Sequence, residues 1–142
     1  MKKLMVGMLL SLVLVLTACG SSPADMKRDV AEIEIILKEH LKQIQEQSSK
    51  ASGWLFSKPT EVDVIKYREL AQEMQGFRGK TKESVEASKI INKMGHSYEK
   101  GIDGLVDGGF LSEKFKESIE EMQQDLVRLN TEVQLINKMA NE

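Results

Sequence analysis

From Phe115 to Ala140 the apolar residues fall at steps of four, three, four, three, four, three and four: Phe115, Ile119, Met122, Leu126, Leu129, Val133, Ile136 and Ala140. A step averaging three and a half residues puts them all on one side of an α-helix, whereas a strand would scatter them over both faces. A helix with so narrow a seam gains its stability by burying it against other helices. The spacing therefore predicts a helix over 112–140, with Ser112 as its cap and Glu113 in its first turn, packed mainly against the first helix of the chain. Val127 and Leu135 lie off the seam and leave room for a second contact face.

The partners of this seam are legible upstream. Met26, Val30, Ile33, Leu37, Leu41 and Ile44 recur at three and four over an expected helix at 24–49, widened by Ile35 and Ile36. His40 sits at the edge of that stripe, where a lone histidine packs or hydrogen-bonds more readily than it ligates. Residues 50–59 break the pattern. Lys58 precedes Pro59, which disfavours helix, so the first helix is over by Lys58. Thr60 and Asp63 then form a Thr-x-x-Asp capping pattern opening a helix over 60–77, with Val64, Tyr67, Leu70, Ala71, Met74 and Phe77 on its apolar side. Gly76 and Gly79 mark its end. A further helix over 81–100 carries Val85, Ser88, Ile91, Met94 and Tyr98, with Ile90 alongside. The second and third helices are either separate or one helix kinked near Gly76 and Gly79. Gly101 to Gly109, with four glycines, Asp103 and Asp107, reads as a turn from which Ile102, Leu105, Val106, Phe110 and Leu111 fold back onto the helices.

Composition agrees with helices throughout. Lys, Glu, Gln, Ile, Leu and Met dominate, the prolines are Pro23 and Pro59 alone, and aromatic residues make up 5% of the 142, with no alternating β-branched runs. The expected fold is all-α, an antiparallel bundle of three to four helices in one domain over 24–142. In an up-down-up-down order, the 50–59 and 101–111 connections share one end of the bundle. The 76–80 turn and the C-terminus share the other.

Ahead of the bundle stand Lys2 and Lys3, then a thirteen-residue, mostly apolar run from Leu4 to Leu16. As a helix this run is about 20 Å long, short of the roughly 30 Å bilayer core, and it has the proportions of a signal-peptide apolar region. It ends in Leu16-Thr17-Ala18-Cys19, which contains the one cysteine of the chain. This stretch resembles the lipobox of bacterial lipoproteins. The resemblance implies a signal peptide at 1–18, a lipid on the Cys19 thiol, and a tether over 19–23. Gly20 to Pro23 reaches at most about 14 Å, which keeps the bundle close to the headgroups. Two acyl chains hold firmly where one gives marginal binding. The implied place is the extracytoplasmic face of the cell membrane, or the outer membrane where the host has two.

Function is less legible. With Lys2 and Lys3 removed, the 22 acidic residues outnumber the basic ones by four, which gives no support to nucleic-acid binding. A lone cysteine makes no disulfide. Asp103 and Asp107 lack the alternating oxygens of a calcium loop. His40 and His96 lie on different helices without flanking ligands. No metal, no cofactor and no catalytic residue is expected. Trp54, Leu55 and Phe56 form a short apolar run that either plugs the bundle end or meets a partner. The first expectation is a membrane-anchored surface module that binds an envelope protein or itself. The second is a small helical lipoprotein binding an apolar or lipid ligand.

Overall fold

The structure is a computed structural model that describes residues 21–54 and 59–142, and within them the side chains of all but 44–45, 47–54 and 110. Four helices, α1 (Pro23–Trp54), α2 (Glu61–Gly76), α3 (Val85–Gly108) and α4 (Glu113–Met139), pack into an all-α bundle, and the described residues hold no strand. The apolar run at 4–16 and Cys19 lie outside the described residues. No described helix is long and apolar enough to cross a membrane.

α1 starts where Pro23 occupies the first helical position, its missing N–H costing nothing there. The Ser22 hydroxyl accepts from the Asp25 amide at 3.1 Å. The helix continues past its expected end at 49 to Trp54. A single glycine such as Gly53 weakens a helix by about 1 kcal/mol without having to end it. The buried stripe also departs from expectation. Met26, Val30 and Ile33 are buried as read, but the stripe then runs through Ile36 and His40, leaving Leu37 partly buried and Ile35 and Leu41 exposed.

α2 opens on the expected capping box: the Asp63 amide donates to Thr60 Oγ1 and the Thr60 amide to the Asp63 carboxylate, both at 3.2 Å. Tyr67, Leu70, Ala71 and Met74 are buried. α2 and α3 are separate helices. Phe77 turns to extended backbone (φ −61°, ψ 134°), and the carbonyls orphaned at the end of α2 are taken by α3: Asn92 Nδ2 donates to Met74 O and Phe77 O, both at 2.9 Å. A 3-10 turn, Lys82–Ser84, then leads into α3.

The expected loop at 101–109 is instead the last two turns of α3. Its glycines are notches for close helix approach. A Cβ on Gly101 would lie 2.4 Å from Ser118 Oγ, and one on Gly104 would lie 2.7 Å from the Phe115 amide nitrogen. Of the glycines at 101, 104, 108 and 109, Gly109 alone has positive φ, at 65°. The turn shrinks to Gly109–Leu111, and Ile102 and Leu105 are buried from within the helix. Ser112 stands at the N-cap position of α4, but its hydroxyl makes no capping bond. It packs instead against the Gly104 backbone.

α3 is the centre of the bundle, contacting α4 most extensively and α2 next, while α1 touches α4 and α2 over less surface. The expected pairing of the α4 seam mainly with the first helix is therefore corrected. The notches on α3 admit α4 closely, and ion pairs border the seam: Lys93 with Asp125 and Lys100 with Glu117, both at 2.9 Å. The order is up-down-up-down. Asp29 of α1 meets Thr81 and Ser84 at the start of α3, His40 meets Tyr98 further along, and Ser118 of α4 meets Gly101.

Candidate functional site

Five of the eight seam residues of α4 are buried, namely Met122, Leu129, Val133, Ile136 and Ala140. Phe115, Ile119 and Leu126 are half-buried because a pocket of about 190 Å³ lies beside them. All four helices contribute to it. α4 gives these three with Ser118, Met122 and Gln123; α3 gives Tyr98, Gly101, Ile102 and Leu105; α2 gives Tyr67; α1 gives His40. The wall is mostly apolar. An apolar cavity of about 150 Å³ suffices to take benzene from water, so this one matches a small ring or a short chain.

The polar part of the wall is built on His40 and Tyr98. The imidazole Nδ1 and the phenol oxygen share a hydrogen bond of 2.5 Å, and the rings meet edge-on, with centroids 5.0 Å apart and planes at 73°. His40 is 2% exposed. Burial pushes its pKa down to about 4, so the ring is neutral at pH 7. Burial raises the Tyr98 phenol well above its ordinary range, and the neighbouring Tyr67 adds to the rise. So weak a base is poorly matched to general-base work near neutrality. The pair is suited to giving and accepting hydrogen bonds inside an apolar wall.

The helices explain the placement. His40 falls four residues after Ile36 and seven after Ile33, on the buried side of α1. Tyr98 falls four after Met94 on α3. α1 and α3 run in the same direction, so the two residues reach the same level of the bundle. Gly101 leaves room beside Ser118, whose hydroxyl donates to Phe115 O at 2.7 Å. Tyr98, Tyr67 and the half-buried members of the α4 seam appeared in the sequence as stripe residues. Nothing in their spacing marks the space between them.

His96, Asp103 and Asp107, also singled out in the sequence, are not among the residues that line the pocket. Cys19, Leu55 and Phe56 lie outside the described residues. Trp54 is the last residue of α1, and its side chain is likewise outside the description. His96 is exposed on α3. Asp103 pairs with Arg68 at 2.7 Å, and Asp107 lies 4.0 Å from Lys114. Among the described residues no group of three or more His, Cys, Asp or Glu side chains is arranged to hold a metal ion. Comparison with family models, characterised proteins and solved structures finds no match.

Proposed function

We propose that this chain is a lipoprotein of the cell envelope, held at the membrane through acyl chains on Cys19, whose helical bundle holds a small apolar ligand. The pocket at the junction of all four helices carries the reading. His40 stands seventeen residues along α1 from Pro23, about 25 Å at helical rise, so the ligand is held clear of the end that joins the tether. The experiment has two arms. Cys19→Ser abolishes incorporation of labelled palmitate and membrane retention if the anchor is as stated; a product still labelled and retained overturns it. Benzene or octanol titrated into the protein shifts the methyl resonances of Met122, Ile102 and Leu105 to saturation, and Ile119→Trp, which fills the pocket, removes the response. Absence of any saturable shift overturns the ligand reading.

The interaction-module reading is favoured by a different observation. In a chain with 30% charged residues, a strip of α4 between Glu120 and Lys138, bordered by Arg128, is uncharged and exposed: Gln123, Val127, Asn130, Thr131, Gln134 and Leu135. Val127 is 70% and Leu135 48% exposed. Uncharged side chains with scattered apolar ones suit a helical neighbour. A photo-crosslinker at position 127 in intact cells tests it, and the absence of any adduct counts against it.

A further inference from the structure

We infer that the pocket selects an uncharged ligand carrying a hydroxyl or comparable hydrogen-bonding head, and rejects the carboxylate and the amine of the same chain. This rests on the apolar-ligand reading above and names the ligand class.

The chemistry of the wall carries the inference. Among the described residues, none of those lining the pocket is Lys, Arg, Asp or Glu. A carboxylate or ammonium drawn out of water into such a site loses its hydration without compensation unless an opposite charge meets it. Several cations on the same helices are engaged in ion pairs. Lys93 pairs with Asp125, Lys100 with Glu117 and Glu121, and Arg68 with Asp103.

A hydroxyl fits what is present. It donates and accepts, so it can bond to a neutral imidazole or a phenol whichever ring nitrogen carries the proton. Ser118 already spends its proton on Phe115 O.

Octanol, octanoate and octylamine share one chain and differ only in the head. Their dissociation constants for the bundle at neutral pH, by calorimetry or by methyl shifts, are the test. Octanol binds about tenfold or more tighter than either ion. Gln123→Lys, which brings a cation to the pocket wall, raises the affinity for octanoate about tenfold relative to that for octanol. Octanoate binding as tightly as octanol to the unaltered protein overturns the inference and leaves the ligand reading standing. No binding of any of the three overturns both. An octanoate affinity indifferent to the new lysine overturns the argument from the missing cation.

Discussion

Asp29 of α1 and Thr81 are held together by two hydrogen bonds to one carboxylate oxygen, from the Thr81 amide at 2.8 Å and from its hydroxyl at 2.7 Å. Ser84 Oγ donates to the same oxygen at 2.6 Å, and the Lys80 amide to its neighbour at 3.0 Å. An aspartate from one helix thus satisfies the amides that precede another, fixing where α1 lies against the α2–α3 turn.

Asp29→Asn keeps the shape and replaces an acceptor by a donor facing donors. The expected cost is about 2 kcal/mol, read as a lower midpoint in urea. The pH dependence has a definite sign. Burial acts to raise the Asp29 pKa, but the bonds from Ser84, Lys80 and Thr81 outweigh it and hold the carboxyl below its ordinary 3.8. Its contribution is present above that value and is lost as pH falls through the lower, native-state one. The gap between wild type and Asp29→Asn is constant near neutrality and closes only in stronger acid. A gap that closes already between pH 7 and 5 contradicts this.

His40 responds to acid in a higher range. Its pKa falls from 6.5 to about 4 on burial, so between those values the unfolded chain binds a proton that the native chain refuses. Stability therefore drops as pH falls from about 6.5 towards 4, by roughly 3 kcal/mol at the lower end. His40→Phe removes this slope, whatever it does to stability at neutral pH. Urea unfolding at a series of pH values measures both. An unchanged slope in His40→Phe assigns the effect elsewhere.

These two residues show what a single sequence conveys. The seam of α4 and the capping box at Thr60 are local, so spacing and residue type reveal them. The partners of Asp29 and His40 lie 52 and 58 residues away. Charge and hydropathy along the chain do not say which turn or ring will face them. The glycines at 101 and 104 read wrongly as a turn for another reason. A turn and a close helix approach both call for a missing Cβ, and only the backbone angle tells them apart. The pocket is legible nowhere, since it is space left among side chains that all look like core.

The glycine reading makes an opposed pair of expectations. Gly104→Ala places a Cβ 2.7 Å from the backbone nitrogen of Phe115, so helix must move against helix. The expected cost is about 1–3 kcal/mol, in spite of the gain alanine brings to a helix. Gly76→Ala, with nothing within 4 Å of its Cβ, is neutral or stabilising by up to about 1 kcal/mol. Thermal unfolding of the two variants orders them. Equal midpoints contradict the notch.

Leu129 and Leu126 are one turn apart on the seam of α4 and differ in surroundings. Leu129 is fully buried, and truncating it to alanine opens a new cavity in packed core, at an expected cost of about 3–5 kcal/mol. Leu126 is half-buried and already borders empty space, so its side chain has fewer neighbours to lose. Leu126→Ala is expected to cost about 1–2 kcal/mol and to enlarge the pocket, so that longer alcohols gain affinity relative to octanol. Denaturant midpoints give the first comparison and calorimetry the second. Equal losses at the two positions, with no change in chain-length preference, mean that the pocket is closed in solution.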